Sequence, residues 1–121
     1  MKKTIITVDD SKSIRQMLSF TFKEAGYEVI EAVDGINALE KIKGTQIHLM
    51  IVDLNMPNMN GIQLIRAVRS DPDNKFMPIL ILTTESQESI KQEGRKVGAT
   101  GWVVKPYKPE QLLAVAKRLL N

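Results

Sequence analysis

The sequence predicts one α/β domain: a doubly wound (βα)5 arrangement with a five-stranded parallel sheet and helices on both faces. Three observations lead there. Short segments rich in Ile, Val and Leu alternate strictly with stretches of helical spacing, which implies right-handed crossovers and a parallel sheet. Residues 49–52 and 79–82 are apolar on consecutive positions, as strands covered on both faces require. The second apolar segment instead carries Glu28 and Glu31, which fits an edge. The strands are therefore compatible with order 2-1-3-4-5, which leaves a crevice between the first and third strands at their C-terminal ends.

Taken in order, the first strand is expected over residues 4–8. The helix after it has Ser11 as a candidate cap, a stripe of Ile14, Met17, Leu18, Thr21 and Ala25, and Gly26 past its end. A second strand over 28–32 leads to a helix marked by Ile36, Leu39 and Ile42, with Gly44 beyond it. The third strand spans 49–53 and precedes a helix with Ile62, Ile65 and Val68, capped by Asn60. After a fourth strand over 78–83 comes a thinly anchored helix, with Ile90 and Val97 as its apolar contacts. Its internal Gly94 costs ~1 kcal/mol relative to Ala, so this is the helix expected to move. The fifth strand covers 101–105, and the last helix has Pro109 in its first turn and Leu112, Ala116 and Leu119 on its apolar face.

Composition bounds the class. At 121 residues the chain is the size of a single domain, residues 1–121, and 43% hydrophobic with 26% charged residues suits an ordinary globular protein. The absence of cysteine excludes disulfides, thiolate zinc sites and a thiol nucleophile. The longest apolar run, Leu112 to Ala116, is far short of the ~20 residues of a membrane span. The basic start Met1, Lys2, Lys3 is followed too soon by Asp9 and Asp10 for a secretory signal. A cytoplasmic protein is expected. The 17 basic and 14 acidic residues leave +3, and the cations are scattered without interleaved aromatics, so no nucleic-acid partner is expected. The sequence stops at Asn121, just after the fifth helix, so no output domain is expected and signalling output would come from docking.

Polar residues collect where the strands end. Asp9 and Asp10 follow the first strand, Asp53 ends the third, Thr83 the fourth and Lys105 the fifth, so this topology gathers them at one rim. Three converging carboxylates repel and raise a pKa unless a cation lies among them. Oxygen donors without His or Cys favour Mg²⁺, and a lysine and a hydroxyl opposite it suit the oxygens of a phosphoryl group. Singly, each has a plainer reading: Asp10 as a helix cap, Thr83 as a β-branched strand residue, Lys105 as an exposed charge. Together they point to phosphoryl chemistry. His48, the only histidine, precedes the third strand at the opposite end and is read as structural.

Four segments carry a resemblance: Val8-Asp9-Asp10-Ser11, the run from Val52-Asp53 through Met56-Pro57 to Asn60-Gly61, Leu82-Thr83-Thr84-Glu85, and Gly101-Trp102-Val103-Val104-Lys105-Pro106. In this order and spacing the chain resembles, along its whole length, the receiver domains of two-component response regulators, and among them single-domain chemotaxis regulators. The resemblance implies a flavodoxin-like fold; the strand order above is that of this family, so it is not an independent reading. It also implies that Asp53 accepts phosphate, that Asp9, Asp10, Asp53 and the carbonyl of Asn55 arrange Mg²⁺, that Thr83 and Lys105 engage phosphoryl oxygens, and that the Lys105–Pro106 bond is cis. Thr84 and Trp102 depart from the family's commoner, smaller residue and its commoner Tyr or Phe. On phosphorylation Thr83 is expected to move inward and Trp102 to turn after it, altering an output surface of fourth helix, fifth strand and fifth helix that includes Lys91, Lys96 and Lys108. The implied partners are a sensor histidine kinase of chemotaxis type and a flagellar motor switch protein or a histidine phosphotransfer protein, with the chain a monomer. A flavin carrier would need a phosphate-binding loop where Asp9 and Asp10 stand, and an aspartate phosphohydrolase would carry its nucleophile after the first strand.

Overall fold

The structure, a computed structural model, describes residues 2–121; Met1, the first residue of the basic start, lies outside the described residues. In chain order it consists of β1 (Thr4–Val8), α1 (Lys12–Glu24), β2 (Glu28–Ala32), α2 (Gly35–Ile42), β3 (Leu49–Val52), α3 (Gly61–Ser70), β4 (Ile79–Thr83), α4 (Glu88–Val97), β5 (Gly101–Val104) and α5 (Pro109–Leu120). The strands pair in parallel in the order β2-β1-β3-β4-β5, as the sequence predicts. Ile5 stands between Val29 and Leu49 in register, and Ile81 between Val52 and Trp102.

Because successive strand residues face opposite ways, the sheet divides the core in two. Ile6, Val8, Met50, Val52, Ile79 and Ile81 meet α2 and α3 through Ala38, Leu64, Ile65 and Val68. Ile5, Leu49, Ile51, Leu80 and Leu82 meet Leu18 and Phe22 of α1 and Leu112 and Ala116 of α5 on the other face. No described helix is long and apolar enough to cross a membrane.

Three strand ends differ from expectation. β3 stops at Val52, β5 at Val104, and β4 begins at Ile79. Asp53 and Lys105 turn out of the strands, yet each keeps one sheet-like bond, Asp53 N–H to the Val8 carbonyl at 3.0 Å and Lys105 N–H to the Thr83 carbonyl at 2.8 Å. Pro78 has no N–H for the ladder and offers only its carbonyl, to the Met50 N–H at 3.0 Å. A 3-10 turn, Pro72–Asn74, follows α3 where the sequence pattern predicts none; Asp71 caps it by accepting from the Asp73 N–H at 3.0 Å.

The helix signals hold. Ser11 caps α1, its hydroxyl accepting from the Ile14 N–H at 3.4 Å. Asn60 and Gln63 form a reciprocal capping box on α3, both bonds at 2.9 Å. α4 is different. Gln87 at its start makes no side-chain capping bond, whereas its end is tied down: Gly98 adopts φ 110°, and its carbonyl accepts from Nε and Nη2 of Arg69 at 3.2 and 2.7 Å. Gly94 needs a second correction, because it is more than a loss of helix propensity. A Cβ there would lie 2.9 Å from the Trp102 ring and 3.0 Å from Ile81, so the glycine lets α4 lie directly on the indole.

Candidate functional site

The rim at the C-terminal ends of β1, β3, β4 and β5 holds the residues the sequence singled out. Asp9 and Asp53 are buried and Asp10 is exposed, and one carboxylate oxygen from each lies within 4.8 Å of those of the other two. Local structure places them there: Asp9 Oδ1 accepts from the Ser11 N–H at 2.9 Å as the chain turns into α1. Asp53 Oδ1 lies 3.4 Å from the Asn55 N–H in the loop toward α3. That loop is closed by Gly61, whose N–H reaches the Leu54 carbonyl at 3.0 Å; any Cβ at Gly61 would come within 2.6 Å of the Asp53 carbonyl.

Lys105 reaches in from the far side of the sheet. Its Nζ is 3.0 Å from Asp9 Oδ2 and 3.5 Å from Asp53 Oδ2, with the side chain 15% exposed. The Lys105–Pro106 bond is cis, as expected. Thr83 is fully buried and its Oγ1 lies 3.4 Å from the Glu85 N–H. Burial pushes the Asp53 carboxyl above its ordinary value; the Lys105 ammonium opposes this, the Asp9 charge adds to it, and the Asn55 N–H and Thr83 hydroxyl oppose it. A group of hard oxygen donors around a carboxylate that burial makes costly to ionise fits Mg²⁺ in its chemistry.

Thr84 is exposed. His48 is structural: its Nδ1 accepts from the Thr4 N–H at 2.9 Å, at the end of the sheet away from the carboxylates. Trp102 is half-buried, its ring packed on Gly94 and its Nε1 donating to the Glu85 carbonyl at 3.1 Å.

Two neighbours of the site were missed. Arg15, six residues past Asp9 on the first helix, donates from Nη1 to the Asp9 carbonyl at 2.6 Å. Helical phase from Ser11 marks it as facing the loop, but its partner is visible only in three dimensions. Tyr107 lies beyond Lys105, its hydroxyl buried without a protein partner among the described residues, and burial raises its pKa.

Residues 5–117 match the family described as the response regulator receiver domain. The chain is 38% identical over 110 residues to chemotaxis protein CheY1 of Helicobacter pylori, covering 89% of each chain. It is 36% identical over 119 residues to the phosphate regulon transcriptional regulatory protein PhoB of Pseudomonas aeruginosa, where it spans 98% of its own length and only 52% of that protein. Among solved structures, chemotaxis protein CheY4 of Vibrio cholerae superposes with a TM-score of 0.95 at 50% identity, over 98% of this chain and 99% of that one.

Proposed function

Since the chain belongs to the response regulator receiver domain family, we propose that it is a phosphorylation-controlled signalling protein of chemotaxis type, loaded at Asp53 by a sensor histidine kinase. The observation that carries this reading is the convergence of Asp9, Asp10 and Asp53 with Lys105 bridging two of them. Asp53 lies within that group beside Asp9 and Asp10 and in reach of Lys105, as a metal-adjacent phosphoryl acceptor must.

An Asp53 oxygen attacks the phosphorus of a phosphohistidine in line with the leaving nitrogen. A P–O bond forms as the P–N bond breaks, and the departing imidazole takes up a proton. Mg²⁺, held by Asp9, Asp10 and Asp53 with the Asn55 carbonyl, would neutralise charge on the transferring group. Lys105 stabilises the same charge from the other side, and the Thr83 hydroxyl meets a phosphoryl oxygen at the buried edge. Water later cleaves the acyl phosphate and returns the carboxylate. Output is docking on α4, β5 and α5 in the cytoplasm, where Lys91 and Trp102 line a groove and Lys96 and Lys108 are exposed.

Labelling by acetyl phosphate with Mg²⁺ tests the acceptor. Asp53→Asn is expected to abolish it, and undiminished labelling would overturn the assignment. Capture from lysate by the acetyl-phosphate-treated chain separates two outputs: a flagellar switch component supports the chemotaxis reading, and a histidine phosphotransfer protein places the chain in a relay.

A further inference from the structure

Asp10 is the exposed carboxylate of the three, so its reach toward Asp9 and Asp53 is set by its backbone more than by packing. That backbone begins at the Asp9–Asp10 peptide, which is planar, so fixing the Asp9 carbonyl also fixes the Asp10 nitrogen. The carbonyl is held by Arg15 at 2.6 Å, while the Asp9 N–H donates to the Ala32 carbonyl of β2 at 3.2 Å. Arg15 is itself held. Its Nε lies 3.5 Å from Glu31 Oε1, with the arginine side chain only 12% exposed. The other Glu31 oxygen accepts from the buried Ser19 hydroxyl at 2.9 Å. The guanidinium fork therefore spans from the edge strand to the loop that carries two of the three carboxylates, a span that one ammonium cannot make.

We propose that Arg15 is a positioning residue for the carboxylate site: it fixes the Asp9–Asp10 peptide and thereby the divalent-cation affinity of the site. This rests on the reading of Asp9, Asp10 and Asp53 as the Mg²⁺ ligands. Groups that hold metal ligands in place typically govern about 10–100-fold in metal affinity. The sign separates positioning from bare charge. Deleting a cation near the site would by Coulomb's law tighten a dication, whereas loss of positioning loosens it.

The test follows thermal unfolding of the full chain against Mg²⁺ concentration, with EDTA as the zero. Stabilisation above that zero reports binding, separately from any change in the metal-free midpoint. Arg15→Met is expected to raise the Mg²⁺ concentration for a given stabilisation by about 10-fold or more. Arg15→Lys keeps the charge and the helix and is expected to shift in the same direction; it decides the matter if the methionine variant does not fold. Wild-type or tighter Mg²⁺ binding in the folded variants overturns the role of Arg15. A wild type with no Mg²⁺ dependence overturns the metal reading itself, and the proposal with it.

Discussion

Helices α1 and α4 each begin just beyond a site residue, and they are held in opposite ways. α1 starts with a side-chain cap at Ser11, is fastened to the Asp9 carbonyl by Arg15, and sinks Leu18 and Phe22 to near-zero exposure. α4 starts uncapped at Gln87, has Gly94 as its one buried residue and keeps Ile90 and Val97 half-buried. The contrast teaches how one rim serves two needs: Asp9 and Asp10 stand in the turn that leads into a braced helix, and the side that would pass on a change of state is loosely held where it meets the site.

Truncation of each helix's main apolar anchor should expose the largest difference. Phe22→Ala is expected to cost about 3–5 kcal/mol. Ile90→Ala, at a half-buried position, is expected to cost about 1–2 kcal/mol. Urea unfolding measures both, and equal losses would break the contrast. Next comes the contact that joins α4 to the sheet. Gly94→Val drives a branched side chain into the Trp102 ring and Ile81, an overpacking expected to cost about 1–3 kcal/mol despite better helix propensity. Emission of Trp102, the only tryptophan, should shift with it.

A smaller effect belongs to the braced side. Burial raises the Asp53 pKa above 3.8, so the folded chain holds this proton to higher pH than the unfolded one. The stability it contributes is full below the unfolded value and is lost as pH rises through the folded value. In EDTA, Asp53→Asn should therefore be more stable than wild type at neutral pH, with the gap closing as pH falls toward 3.8. Unfolding at several pH values checks the sign. The smallest effect is capping: Ser11→Ala should lose, and Gln87→Ser gain, about 0.5–1 kcal/mol. A Gln87→Ser chain as weak as wild type would mean that the start of α4 is not limited by its missing cap.

The strands and the rim were legible in the sequence because they follow from one-dimensional pattern, while the full strand order also leaned on the family resemblance. Consecutive apolar residues mark β3 and β4 as central, Glu28 and Glu31 mark β2 as the edge, and once the order is known the residues after each strand must converge. What escaped depends on contacts between distant residues. Gly94 reads as a propensity cost until the indole beneath it is seen, and the sequence gives no partner for Arg15 until the Asp9 carbonyl and Glu31 are found on either side of it. The strand ends at Val52 and Val104 were placed one residue too far because the last bond of each ladder persists after the backbone has turned.

The Arg69 tie to the Gly98 carbonyl makes α4 a lever with its fulcrum at the C-terminal end. Ten residues at a 1.5 Å rise give an arm of about 15 Å, so a tilt of about 10° carries Gln87 roughly 2.6 Å by arc length and leaves Gly98 almost where it was. A displacement too slight to disturb the packing of α3 at one end thus becomes, at the other, a shift that a bound protein would register as a different shape.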